Sequence, residues 1–341
     1  MEYNEFFAQV KSGGLRGAYL FEGTEEYIKT SALRAVEKAL LPPGMEQLNE
    51  AVLEDPATDA VIAAAETLPF LGDKRLVVLR ELSALSGRSE GDDRLSAYMA
   101  RVPESCVMIL YHMGKADARK KLYQAVKKHG TVVSFQPMDE QALNRWIVRT
   151  LQGMGKTIAL GDAAYLGFTV GSDAATLKTE MEKLAALTGE REEITREDIR
   201  AVCTRSMECT VFEMVDAVVA GQEARAFRLM HDMLVSGSDR LGILAMLLRQ
   251  YRLMFSVKVM QYEKQPPAEI RKQLGLPGFA AERTIRQASG YTGRQARQAM
   301  ELCLETEYRV KSGQWNQEGA LEGCMLRLFQ LRHPPEQEEQ A

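Results

Sequence analysis

Little in this sequence suits metal or nucleophilic chemistry. Only four histidines, His112, His129, His231 and His333, occur among 341 residues. None has an acidic or nucleophilic partner at a catalytic spacing, so no catalytic histidine is expected. The five cysteines, Cys106, Cys203, Cys209, Cys303 and Cys324, are scattered. With no CxxC pair and no histidine at ligand spacing, they argue against structural zinc and for a reducing, cytoplasmic setting. No Gly-x-Ser-x-Gly elbow and no catalytic cysteine signature is present. Net charge is also slight, formally −4. Contact with nucleic acid or an anionic membrane would therefore have to come from a local patch or from a partner. Long apolar runs are missing. The most apolar stretch, residues 241–260, is interrupted by Arg249, Arg252 and Lys258 and reads as a packed helix, not a membrane span. The opening MEYNEFFAQVKSGG holds acidic residues and no apolar core of signal length, which predicts no export.

What is present is ample apolar content, 45%, enough for two or three packed domains. Five β-rich runs, residues 18–21, 48–53, 76–79, 106–111 and 131–135, alternate with helical segments. Leu33, Val36 and Leu40 share one helix face before Pro42-Pro43-Gly44 stops it. Val61, Ile62, Ala65 and Leu68 share another, as do Leu95, Tyr98 and Met99 after a polar loop over 86–93. Such alternation predicts a parallel sheet with helices on both faces. After Pro137 the pattern is helical only. Leu143, Trp146, Ile147, Thr150 and Leu151 follow amphipathic spacing, as do Leu177, Met181 and Leu184. Thr195 with Asp198 reads as a capping box opening a helix that buries Ile199 and Val202. A third block starts near Thr210 with Val211, Phe212, Val215, Val218 and Val219. It continues through Phe227, Met230 and Leu234 and a long helix with Ile243, Leu247 and Tyr251. Gln265-Pro266-Pro267 breaks that helix, and two or three more run to Phe329. The expected fold class is an α/β domain over residues 1–138, built on a five-stranded parallel sheet, followed by two all-α domains over 139–208 and 209–332. The polar tail, 333–341, should fray.

Residues 68–81 combine an apolar tip with a buried strand. Pro69 restricts Leu68 and should end the preceding helix, and Gly72 lets the chain turn. Phe70 and Leu71 at such a turn can tuck into the core. Left exposed, they form a plug for another protein, with roughly 1.5 to 3 kcal/mol available from burying each.

Two segments have the letters of a phosphate-binding loop. Gly23, Lys29 and Thr30 stand after the first strand where such a loop belongs, but Ile28 replaces its second glycine. A β-branched residue lacks the backbone freedom needed to point successive N–H groups at phosphate. Glu25 and Glu26 would face the anion as well. A nucleotide-site topology that has lost its use is the reading; an active ATPase is the rival. In the second segment, 153–157, Thr150 occupies the first-glycine position and the residues end a helix, so Gly153 and Gly155 read as helix stops. The third strand ends in Arg80, a cation where a working ATPase would hold Mg²⁺ with acids. Lys115, Arg119, Lys120, Lys121, Lys127 and Lys128 form the strongest basic cluster. It is either a solvated helix face or a sequence-blind DNA contact.

In this order and spacing, Tyr19-Leu20-Phe21-Glu22-Gly23-Thr24-Glu25-Glu26, the run from Pro69 to Leu79, Asp117-Ala118-Arg119-Lys120-Lys121-Leu122-Tyr123, and Glu307-Tyr308-Arg309-Val310-Lys311-Ser312-Gly313 resemble the AAA+ clamp-loader family. The similarity is to the delta-type branch serving bacterial DNA polymerase III, and it spans nearly the whole chain. It implies an AAA+-like α/β domain, a helical lid and a helical collar through which subunits assemble. It further implies no ATP hydrolysis by this chain, no cofactor and no metal, the Ser-Arg-Cys arginine-finger motif being absent. The expected partners are a beta sliding clamp, other clamp-loader subunits and primed DNA within the complex, with no membrane. Phe70 and Leu71, beside Leu68, match the apolar pair that enters a pocket on the clamp.

Overall fold

The computed structural model describes residues 1–86 and 93–334. Two compact units divide the chain, Met1–Pro137 and Met138–Ala341.

The first unit runs α1 (Tyr3–Lys11), β1 (Gly17–Glu22), α2 (Glu26–Leu40), the single turn α3 (Glu46–Asn49), β2 (Glu50–Glu54), α4 (Thr58–Glu66), β3 (Arg75–Arg80), a 3₁₀ turn at Ser83–Leu85, α5 (Asp93–Tyr98), β4 (Cys106–Tyr111), α6 (Lys121–His129) and β5 (Thr131–Ser134). The five strands form one all-parallel sheet in the order β2-β3-β4-β1-β5. Strands buried on both faces read as continuous apolar runs, and β4, with all six residues buried, lies mid-sheet. Side chains alternate between faces along a strand. Leu20, Val77, Leu79, Met108 and Leu110 pack with Val61, Ala65, Leu95, Leu122 and Val126 of α4, α5 and α6. Tyr19 and Phe21 point the other way and meet Phe6 of α1, with ring centroids 5.3 and 5.0 Å apart. The sheet therefore carries helices on both faces, as expected.

Several local expectations shift. Leu48 and Asn49 belong to α3, so the second strand starts at Glu50. α4 stops at Glu66, and Leu68, expected on its buried face, is 78% exposed. The basic segment is not one helix: α6 begins at Lys121, leaving Lys115, Arg119 and Lys120 in the connection before it. The polar loop expected over 86–93 lies, from 87 to 92, outside the described residues.

The second unit contains α7 (Glu140–Gln152), β6 (Thr157–Ile158), α8 (Leu160–Val170), α9 (Ala174–Thr188), β7 (Glu193–Ile194), α10 (Arg196–Val202), α11 (Met207–Val219), α12 (Glu223–Val235), α13 (Arg240–Tyr262), α14 (Pro267–Leu274), α15 (Gly278–Ser289), α16 (Gly293–Lys311) and α17 (Gln317–Arg332). One apolar cluster gathers Leu143, Ile147, Leu166, Leu177, Met181 and Ile199. A second surrounds α13 through Ile243, Leu247, Tyr251, Met254 and Val257. The Thr195–Asp198 capping box is present. Two departures stand out. β6 and β7 pair in parallel, a two-residue ladder too short to show period-2 alternation. Four helices, not two or three, follow Pro266 among the described residues. His333 Nε2 lies 2.9 Å from the Val218 carbonyl oxygen; the tail from 335 onward is outside the described residues. No helix among the described residues is long and apolar enough to cross a membrane.

Candidate functional site

The phosphate-loop position sits where β1 turns into α2, and its polar groups are consumed internally. The Gly23 N–H donates to the Gly114 carbonyl (2.7 Å), the Glu25 N–H to the Phe135 carbonyl (3.1 Å) and the Glu26 N–H to the Thr24 carbonyl (3.0 Å). A phosphate cradle needs those donors free and convergent. Gly23 holds φ at +121°, and a Cβ there would lie 2.1 Å from the Phe135 carbonyl oxygen. Its glycine therefore serves a close chain crossing. Ile28 is buried.

Lys29 is fully buried. Its ammonium donates to the carbonyls of Gly23 (2.7 Å) and His112 (2.8 Å) and to Glu26 Oε1 (2.5 Å). All three donors are used, which leaves none for an incoming phosphate. Tyr111 extends the network, donating to Glu26 Oε2 (2.9 Å) and lying 3.1 Å from Thr30 Oγ1. Burial pushes the Tyr111 hydroxyl up to about 12. Arg80 covers the Tyr111 ring, 5.3 Å from its centroid. The second segment has no phosphate-loop geometry. Gly153 closes α7, and the buried Lys156 donates to the carbonyls of Gly189 (2.5 Å) and Arg191 (2.8 Å).

The tip between α4 and β3 is the converse, apolar and outward. Leu68, Phe70 and Leu71 are 78%, 53% and 75% exposed. Its base is held tightly. Asn49 is fully buried and grips Phe70 in both directions: Nδ2 donates to the Phe70 carbonyl (2.8 Å), and the Phe70 N–H donates to Oδ1 (2.6 Å). Arg75 staples the α4 end to the α3 end, donating to the carbonyls of Ala64 and Leu48, both at 2.9 Å. The tight turn falls on Leu71, φ +51°, and not on Gly72. A leucine in the left-handed region is uncommon, and such strain persists only where surroundings dictate it. Sequence reading missed Asn49, and its only local signal is a polar residue just before an apolar strand.

The basic cluster is partly neutralised. Arg119 forms paired contacts with Asp117, both 2.9 Å, and Lys121 meets Asp93 at 2.8 Å. Arg119 holds the Asp117 carboxyl down to about 2. Lys115, Lys127 and Lys128 are exposed. Among the described residues, no cluster of His, Cys, Asp and Glu could hold a metal.

A five-stranded parallel scaffold whose Lys29 is hydrogen-bonded inside the fold, joined to helical bundles and carrying a braced apolar tip, defines the class. A family model for "DNA polymerase III, delta subunit" matches residues 19–136, and one for the C-terminal domain of that subunit matches 208–328. The chain is 25% identical over 334 residues to DNA polymerase III subunit delta of Bacillus subtilis, covering 95% of this chain and 96% of the relative. It is 22% identical over 330 residues to the Escherichia coli subunit, covering 92% of each. Among solved structures, a Bacillus subtilis DNA clamp loader delta protein aligns with a TM-score of 0.60 at 24% identity, covering 96% of this chain and 99% of that one. The chain belongs to the DNA polymerase III delta subunit family, and thus to DNA replication.

Proposed function

We propose that this chain is a non-catalytic clamp-loader subunit that binds the beta sliding clamp through Leu68, Phe70 and Leu71. Binding there biases the ring toward its open form, so that it can be loaded on primed DNA. The carrying observation is the exposed triad on a backbone gripped by the buried Asn49. Apolar anchors on a preordered backbone lose little entropy on docking. Opening then follows only from the tip's greater affinity for the open ring than for the closed one.

The same reading assigns no nucleotide chemistry to the chain, and the three occupied donors of Lys29 support this. Residues 1–138 present the tip, 139–208 act as a lid and 209–332 join the other subunits in the cytoplasm. The separate apolar clusters around Leu177 and around Leu247 support that partition of the helical part.

The test is to mix the purified chain with a sliding clamp without nucleotide. A stable complex is expected, and Phe70→Ala with Leu71→Ala should abolish it; unchanged binding of that variant removes the tip from the interface. Saturable ATP turnover by the isolated chain would favour the ATPase reading instead. Loss of DNA binding in Lys127→Glu with Lys128→Glu, with clamp binding intact, would favour a DNA adaptor.

A further inference from the structure

The helical unit holds a cavity of about 370 Å³ at the meeting of α8, α10, α11, α12 and α15, with five arginines and three carboxylates in its wall. Its floor is built, not fortuitous. Arg283 lies over the rings of Phe168 and Phe212, 5.5 and 5.8 Å from their centroids. It contacts Asp216 Oδ2 through two nitrogens, at 2.8 and 2.6 Å. Asp216 is in turn oriented by the buried Gln287, whose Nε2 donates to Oδ1 at 2.6 Å and to the Phe212 carbonyl at 2.9 Å. Gln250, also buried, donates to Gln287 Oε1 at 2.7 Å. A buried network of this kind fixes a surface group at little further entropic cost.

Across the wall positive charge is in excess, five arginines to three carboxylates. Asp216 is taken by Arg283, and Glu213 faces Arg205 at 3.5 Å. Arg200 lies over the Tyr165 ring, 5.8 Å from its centroid, with Glu197 at 3.9 Å and a share of the Glu213 field. Arg225 hydrogen-bonds the neutral Gln222 at 3.1 Å, and among the described residues neither Arg225 nor Arg286 forms an ion pair. Of the three carboxylates in the wall, Glu282 is the one with no ion-pair partner among the described residues, against three exposed guanidinium groups. Like charges gathered around one cavity repel, and an anion relieves that repulsion. One wall is aromatic: Tyr165 and Phe279 meet edge to face, with centroids 5.5 Å apart. Guanidinium groups beside aromatic faces are the means by which a phosphate and its base are held together.

We propose that this cavity binds a nucleotide, its phosphate against Arg200, Arg225 and Arg286 and its base against Tyr165 and Phe279. The nucleotide is either free or one unit of a single strand. The site is separate from the closed loop around Lys29, and the proposal does not depend on the clamp-binding reading.

The experiment measures fluorescence anisotropy of a fluorescein-labelled oligothymidylate with the full chain across a salt series, in competition with ATP and with unlabelled oligonucleotide. Arg225→Glu with Arg286→Glu should weaken binding at least about tenfold and, two contacts being lost, reduce the slope of log affinity against log salt by about 1.4. Competition by ATP identifies a free nucleotide as an occupant; competition by the oligonucleotide alone identifies a strand. Hydrogen exchange on the wild-type chain is the second measurement, with protection of Gly278–Ser289 expected on adding the oligonucleotide. No binding by the wild type, equal binding by the variant, or exchange protection confined to other segments overturns the proposal.

Discussion

Replacing Leu71 by glycine and, separately, by alanine tests the backbone and the surface at once. Leu71 holds φ at +51°, a region that costs an L-residue roughly 1–2 kcal/mol and glycine almost nothing. At an ordinary position alanine is the more stabilising of the two by roughly 0.5–1 kcal/mol, because glycine has more unfolded freedom to lose. Here the order should invert, with glycine ahead of alanine by roughly 0.5–1 kcal/mol once relief of strain is set against that entropy. The side chain is 75% exposed, so either truncation forfeits under about 1 kcal/mol of native burial. Clamp affinity should move otherwise. Burying that exposed three quarters is worth about 1–2 kcal/mol, so both variants should bind an immobilised sliding clamp about 5- to 30-fold more weakly. Urea midpoints for the three proteins and surface plasmon resonance against the clamp read the two effects separately. Alanine more stable than glycine would refute the left-handed turn. Wild-type clamp affinity in the glycine variant would refute the role of the side chain.

Asn49→Ala removes both grips on Phe70 and should cost about 2–3 kcal/mol by urea denaturation. It should also weaken clamp binding although no apolar surface side chain has changed; wild-type clamp affinity in a folded variant would remove the bracing argument. Lys29→Met strands two carbonyls and Glu26, so thermal unfolding should reveal a loss of about 2–4 kcal/mol. ATP affinity, measured by calorimetry, should be no different from wild type. Stability should also fall in alkali. Burial disfavours the charged form of Tyr111 and pushes its hydroxyl up to about 12, above the ordinary tyrosine value of about 10. Its contribution is therefore complete below about pH 10 and is lost as pH rises toward about 12. Denaturation midpoints across that window, compared with those of Tyr111→Phe, should show the smaller decline in the variant.

Elements governed by neighbours in the chain were legible beforehand. β4 was bounded correctly at 106 and 111 because a run that apolar has to be buried on both faces. The Thr195 cap was visible because its partner Asp198 stands only three residues away. Ile28 is legible from the sequence alone as a departure from the phosphate-loop pattern. Other features join residues far apart, and no local pattern carries them. Lys29 is held by a carbonyl 83 positions along, at His112, and Phe70 by an amide 21 positions back, at Asn49. The arginine-lined cavity draws on five helices, two of them separated from the other three by long stretches of chain. Even the turn at the tip departs from its local signal: Gly72 is free to adopt it, and Leu71 does. Periodicity and capping act over three or four residues and are written locally. Which buried donor meets which acceptor is decided when the sheet and helices close around them, since the cost of an unpaired buried group admits few arrangements.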